Sequence, residues 1–458
     1  MRKDIPMKIK TIALVVSAAS TLFAVADPSV SGVSLAQAPD SFLVTVDYTL
    51  SGGPAVVTFD IQTNRTGSAT ADEADWSSIG EQTLTNAFGD VNCLVENGAR
   101  TIFWRADDTW KGKFATSGAA RAVVTAWSTN SPPDYLVVDL RRDSDRVYCP
   151  EPRVRYFTST NALPGGILSD AYCNEYIALR RIPSQGVKWC MGSPADEIGH
   201  VEKETQHYVT FTNADFYMAV FPMTRGQILN FGVLQHGDQW GLIDVLIATN
   251  PNVFLYQYIR CFGTTNEAPL CVSDMKSARG IPAYGVDWLV NGHAVTNISV
   301  CGLMRERTGV EFDLPTEAQW EFAYRAGTSS AYHDGTSPRA NMDYAGLPNI
   351  GWVDSNSRID GTYYLRRVGM KKPNAWGLYD MSGSVFEWCL DRYSATMSAD
   401  SVMEPKGPET GSTYVLRGGC YSYSYSYARA AAKTEGSGVP TQSAGVRPIC
   451  PVCLKWPK

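Results

Sequence analysis

The stretch Asp313-Leu314-Pro315-Thr316-Glu317-Ala318-Gln319-Trp320-Glu321-Phe322-Ala323 carries a helix with its own start and stop signals. The Thr316 hydroxyl can cap the helix N-terminus, Gln319 stands where a side chain can answer that cap, and Gly327 supplies a stop. Trp320, Phe322 and Ala323 provide apolar faces, so the element packs rather than reacts. Two further helices are legible, one over 224–234 opened by Thr224 and one over 298–307. Between and after them, from residue 182 onward, the chain runs through long loops rich in Gly and Trp.

Toward the N-terminus the pattern changes. In the run from Phe42 to Leu50, the side chains of Phe42, Val44, Val46, Tyr48 and Leu50 fall on one face and those of Thr45, Asp47 and Thr49 on the other, which is the period of a half-buried strand. Ser51-Gly52-Gly53-Pro54 marks a turn, and Val57, Phe59 and Ile61 resume the alternation. Strand-like segments follow at 101–104, 122–127 and 136–138, the last after Pro132-Pro133. These lengths predict an antiparallel β-sandwich of the immunoglobulin or fibronectin kind over 27–140, acting as a spacer or adhesive module. The charge run Arg141-Arg142-Asp143-Ser144-Asp145-Arg146 and the break Pro164-Gly165-Gly166 predict a linker over 141–181.

Hydrophobic residues make up 44% of the 458 residues and charged ones 19%, enough apolar material for two cores, which excludes global disorder. The net charge of −6 offers no basic face for nucleic acid. Residues 1–26 join a basic stretch (Arg2, Lys3, Lys8, Lys10) to an apolar run and Ala24-Val25-Ala26, predicting a signal peptide cleaved after Ala26. Its uncharged run is shorter than the ~20 residues a membrane span needs, so the mature chain is expected to be exported, to the periplasm, cell surface or medium, without a transmembrane segment. Outside the cytoplasm thiols tend to pair, and the 11 cysteines leave at least one over. Cys261 with Cys271 is the most local candidate bridge; Cys450-Pro451-Val452-Cys453 has no second such pair, which argues against a zinc ribbon.

Several segments, in order, resemble the sulfatase-modifying-factor family of formylglycine-generating enzymes. They are Trp189-Cys190-Met191-Gly192-Ser193-Pro194, Asp215-Phe216-Tyr217-Met218 with Met223-Thr224-Arg225-Gly226-Gln227, the helix at 313–323, and the loop from Pro373-Asn374-Ala375-Trp376-Gly377 to Glu387-Trp388-Cys389. Leu416-Arg417-Gly418-Gly419 and Ala444-Gly445-Val446-Arg447 close the match, which runs over 182–450 and leaves 451–458 as a tail. The resemblance implies an α+β, C-type-lectin-like fold with little regular secondary structure. It also implies a structural calcium at Asp380, Gly383, Val385 and Glu387, where two carboxylates and backbone carbonyls supply hard oxygens. A second family site would fall near Asn341, Met342, Asp360 and Thr362, with altered spacing.

The family's copper is held by two cysteines five residues apart, shortly after Arg-Gly-Gly, and oxidises a cysteine in a sulfatase's Cys-x-Pro-x-Arg segment. Counting from Arg417-Gly418-Gly419 puts that pair at Tyr423 and Ala428; counting back from Lys433 puts it at Cys420 and Tyr425. Neither register keeps both soft ligands, so copper is not expected. Cys420 is a surviving half-site or the half of a disulfide, with Cys389 as a candidate partner. The five histidines lack the His-x-x-x-His-x-Glu spacing of related iron enzymes, and those at 200 and 207 flank Glu202 and Glu204 in what reads as a solvated loop. Ser193 sits in no nucleophile elbow.

Cys420-Tyr421-Ser422-Tyr423-Ser424-Tyr425-Ser426-Tyr427 alternates two residue types that dominate evolved binding surfaces. If it is a strand, Tyr421, Tyr423, Tyr425 and Tyr427 share one face, as a ligand surface or as cross-strand packing; if it is a loop, the face argument lapses. Its position resembles the variable segment of lectin-fold proteins diversified by retroelements. Two functions follow. One is an exported protein-cysteine oxidase acting on a sulfatase-type protein through Cys420. The other, which the residues favour, is a non-catalytic descendant that presents Tyr and Ser to a carbohydrate or protein ligand.

Overall fold

The computed structural model describes residues 27–227 (except 65, 114, 116, 117, 150 and 225), 235–236, 239–240, 300–339, 346–436 and 443–452. The expected signal peptide, the Cys261–Cys271 pair, most of the helix at 224–234 and the Asn341 and Met342 half of the second calcium site lie outside the described residues.

The N-terminal part forms two antiparallel sheets. One holds β1 (Ser29–Gln37), β2 (Leu43–Ser51) and, paired with β2, a later strand at Gly98–Arg105; the other is built on β3 (Ala55–Asn64), which pairs with Ala120–Trp127. Val46, Tyr48, Leu50, Val57, Ile61, Ile102 and Trp104 close a core between them. The inward alternation of β2 is the one read from sequence, except at its start. Phe42 precedes the strand and is 65% exposed, because the chain reverses there and leaves no sheet above it.

A third, five-stranded sheet corrects the expected boundaries. Residues 136–138, assigned above to the sandwich, belong to β4 (Tyr135–Asp139), which lies between β5 (Val154–Phe157) and β6 (Tyr176–Ile182); β6 continues to β7 (Phe216–Ala219), all antiparallel. All five residues of β4 are buried, so it sits under cover on both faces in the middle of this sheet. The span 141–181 is therefore structural and not a linker. Its charge run folds back on the sheet, where Asp139 accepts from Arg141 at 2.8 Å and Arg146 at 2.7 Å. The strand Ile449–Pro451 completes the sheet beside β7, so the edge of the expected tail at 451 is part of it.

Two helices pack near this sheet, α1 (Val300–Thr308) and α2 (Glu317–Arg325). Thr316 and Gln319 form the reciprocal capping box read from sequence, and the same pair of bonds joins Thr224 and Gln227. The helix ends one residue earlier than expected: Ala326 already takes the left-handed conformation ahead of Gly327. A smaller sheet follows from β8 (Phe386–Arg392), β9 (Tyr414–Arg417) and β10 (Lys433–Gly436). The chain is α+β, with more strand than helix.

Candidate functional site

Three buried residues of α2, Glu317, Glu321 and Arg325, organise the interior of this domain. Glu317 and Glu321 both accept from Arg417 Nη2, at 2.7 and 2.9 Å, while Arg417 Nη1 donates to the Ala430 carbonyl at 2.8 Å. Lys433 reaches Glu317 at 3.4 Å, and Arg325 pairs with Glu321 at 2.8 Å and donates to the Gly192 carbonyl at 2.7 Å. Burial pushes both carboxyls up. At Glu317 the ammonium of Lys433 and then Arg417 outweigh it, and at Glu321 Arg325 and Arg417 do so, holding both below the usual range. Beside them Asp391 takes a proton more readily: burial and then the charge of Glu317 push it up to about 7. Asp391 accepts from the Glu317 amide at 2.7 Å and faces a cavity of about 260 Å³ shared with His207 and Lys433.

A second ion network ties down the loop read above as solvated. Glu204 is buried and accepts from Arg429 at 2.8 and 2.9 Å and from Ser193 Oγ at 2.8 Å, while the Ser193 hydroxyl also meets His200 Nδ1 at 2.8 Å. The solvated reading is corrected: Glu204 needs a cation, and Arg429, 225 positions away, supplies it. Since the Ser193 proton goes to Glu204, this is not a serine nucleophile primed by histidine.

β9 ends at Arg417, and Gly418 and Gly419 follow with φ of 88° and 72°. A Cβ at Gly418 would sit 3.1 Å from the Trp320 ring, and one at Gly419 would sit 2.9 Å from the Tyr427 backbone. The glycines therefore turn the chain out of the sheet before the tyrosines begin. Residues 421–423 are turn and bend, and Tyr425–Ala428 is a 3-10 helix with the extended Ser424 at its N-cap. Of the two alternatives left open by the sequence, the loop is the one found, and the one-face arrangement lapses. Tyr421 is buried against Tyr363, and Tyr425 packs toward Tyr332, Leu347, Ile350 and Val353. Tyr423 and Tyr427 meet edge-on at 5.4 Å, both against Phe386, and Tyr423 remains 42% exposed.

Cys420 is fully buried, its sulfur 3.5 Å from Ser422 Oγ, and burial pushes its thiol up. Cys389 is also buried, and neither forms a disulfide. The expected Cys389–Cys420 bridge is thus corrected: Cys389 packs with Trp320 and Met381 in one part of the core, and Cys420 with Phe386 and Tyr421 in another.

The four expected calcium positions are brought to one loop but are not equivalent. Glu387 has both oxygens engaged, by Arg447 at 2.7 to 2.9 Å and by Trp320 Nε1 at 2.6 Å. Asp380 accepts from the Gly369 amide at 2.7 Å through Oδ2, while its buried Oδ1 has no partner; burial pushes this carboxyl up to about 6. Gly383 has φ 78°, and a Cβ there would lie 2.0 Å from the Trp352 carbonyl oxygen; Val385 is buried in the core. Among the described residues no group of three or more His, Cys, Asp or Glu side chains could hold a metal.

Sequence reasoning missed Arg417, Glu317, Glu321, Asp391 and the Glu204–Arg429 pair. Glu317, Glu321 and Arg417 stand in the quoted family segments and Glu204 in the loop read as solvated, but nothing in their local spacing announces a partner; Asp391 and Arg429 carry no local signal. The family profile described as "Sulfatase-modifying factor enzyme 1-like domain" matches residues 185–450. The chain is similar to the formylglycine-generating enzyme of Streptomyces coelicolor, 39% identical over 116 residues covering 24% of this chain and 35% of that protein. It is also similar to that of Thermomonospora curvata, 33% identical over 156 residues covering 31% and 50%. The matches thus span about a third to a half of these relatives' length. Among solved structures, Treponema denticola variable protein 1 aligns with a TM-score of 0.40 at 22% identity, over 60% of this chain and 95% of that one.

Proposed function

We propose, for a chain that belongs to the sulfatase-modifying factor enzyme 1-like family, that this domain keeps the family's frame and serves as an exported binding module without cysteine-oxidase activity. The observation that supports this reading is the state of Cys420. A family-type copper site needs two accessible thiolates, because Cu(I) selects soft sulfur donors. The loop after Arg417-Gly418-Gly419 offers one thiol, buried and raised by that burial, beside a serine hydroxyl. Tyr423, Tyr425 and Ala428 stand at the other counted positions. This donor set does not fit copper, and no step is routed through it.

The ligand surface is carried by Tyr423, backed by Tyr427 and Phe386, whose rigid amphipathic area suits a carbohydrate or protein partner. Tyr421 and Tyr425 are turned away from it into separate parts of the core. Calcium, in this reading, is structural and rests on Asp380, whose unpartnered buried oxygen fits a hard cation together with loop carbonyls; Glu387 is already neutralised by Arg447. Export proceeds through residues 1–26.

A Cu(I) competition titration of the purified protein against its Cys420→Ser variant tests the reading. Equal, weak binding is expected; a loss of several orders of magnitude in the variant would show that Cys420 is a working copper ligand after all.

A further inference from the structure

A cavity of about 600 Å³ opens in the N-terminal sandwich, far in sequence from the domain that matches the family. This lies in the ~300–1,000 Å³ range of small-molecule sites. Val44, Ile61 and Trp104 line it from the core. Trp110 leans on Trp104 with ring centroids 6.0 Å apart at 47°, and the exposed Phe42 stands at the mouth. Val44, Ile61 and Trp104 are themselves covered; the apolar surface left against water is that of Phe42 and, in part, Leu35 and Trp110, which costs free energy in proportion to the area.

The chemistry of the lining narrows the occupant. The Trp104 indole N–H is already spent on the Thr83 carbonyl at 3.1 Å, and the Gln37 amide on the Ser41 carbonyl at 2.7 Å. Val44 and Ile61 have nothing to donate. A sugar ring seated against the wall of Val44, Ile61 and Trp104 would leave the hydroxyls on that side without partners, at ~1–3 kcal/mol each, so that wall suits an apolar body.

The rim adds a charge. Asp107 and Asp108 both lean toward Arg105, at 3.9 and 3.6 Å, and share its one positive charge. Lys111 and Lys113 line the same opening, and among the described residues neither forms an ion pair with a carboxylate. On a chain with a net charge of −6, an opening where Arg105, Lys111 and Lys113 outnumber Asp107 and Asp108 by one is a local exception. The two lysines complement an anion held at the mouth.

We infer that the sandwich is a binding module for a small amphiphile with an apolar body in the cavity and an anionic head at Lys111 and Lys113. The body can be a chain, as in a fatty acid, or a ring system, as in an aromatic acid; the shared feature is one anionic group on an apolar frame.

Calorimetric titration of the full chain separates these sources and tests the inference. The probes are decanoate, naphthalene-2-sulfonate, and decyltrimethylammonium as the same chain with a cationic head. One or both anions are expected to bind at a single site, with the cation roughly tenfold weaker or more, as two exposed charges allow. Lys111→Gln with Lys113→Gln, both at exposed positions, is expected to weaken the anions by roughly the same factor and close the gap to the cation. Trp110→Ala should weaken all three. Which anion wins identifies chain or ring. Binding of neither anion, equal binding of anion and cation, indifference to the double lysine variant, or saturable binding of a chitin oligosaccharide in place of both anions would each overturn the inference.

Discussion

Arg417 and Tyr423 are six positions apart on opposite sides of two glycines, and the molecule treats them in opposite ways. Arg417 is buried among Glu317, Glu321 and the Ala430 carbonyl, each group holding another's charge. Tyr423 packs edge-on against Phe386 and Tyr427 and keeps 42% of its surface exposed. A buried ion set cannot be altered one member at a time, because removing one leaves an uncompensated charge in the interior. A loop that leaves the sheet at left-handed glycines carries no such obligation. The frame can therefore persist while the loop's chemistry changes, which is how one fold comes to host different activities.

Substitution on the two sides should expose that difference. Arg417→Met is expected to cost roughly 3–5 kcal/mol in urea unfolding, since Glu317 and Glu321 lose their shared cation. Tyr423→Ala should cost about 1 kcal/mol, the worth of an aromatic edge contact, while removing binding to the domain's own ligand. Comparable losses from both would break the contrast.

The next effect is a pH slope. Asp391, facing Glu317, Lys433 and Arg417, keeps its proton up to about 7 in the fold. An unfolded aspartate releases it near 4, so between about pH 4 and 7 the folded state binds more protons and stability falls as pH rises. Asp391→Asn is expected to flatten the decline in melting temperature across that window, and its oxygen can still accept from the Glu317 amide. An unchanged slope would mean that Asp391 is ionised throughout.

Smaller still is the expected response to calcium. Added Ca²⁺ should raise the melting temperature of the wild type by a few degrees, and chelator should reverse it, with no effect on Asp380→Ala. A calcium response that survives in the variant would remove Asp380 from the site.

Local signals in the sequence translated directly. The capping box at Thr316 and Gln319, the inward face of β2 and the position of α1 each follow from neighbours within a few residues. What sequence hid is non-local. Glu317 and Arg417 are 100 positions apart, and nothing in the spacing of either announces the other. β4 reads as a short apolar run that either sheet would accept; its partner β6 arrives some forty residues later. The tyrosine alternation misleads for a backbone reason. Period two implies a strand only while a neighbouring strand is present to pair with, and Gly418 and Gly419 end β9 before Tyr421. Of the expected site, Asp380 retains a free acceptor, Glu387 does not, and Cys420 is enclosed.

The function proposed above is a family frame around a loop without cysteine-oxidase activity. Its most direct test is to incubate the mature protein with Cu(I), O₂ and a Cys-x-Pro-x-Arg peptide and to follow the peptide by mass. The account predicts that the peptide thiol persists, with Cys420→Ser indistinguishable from wild type. Conversion of that thiol to an aldehyde, lost in the Cys420→Ser variant, would contradict it.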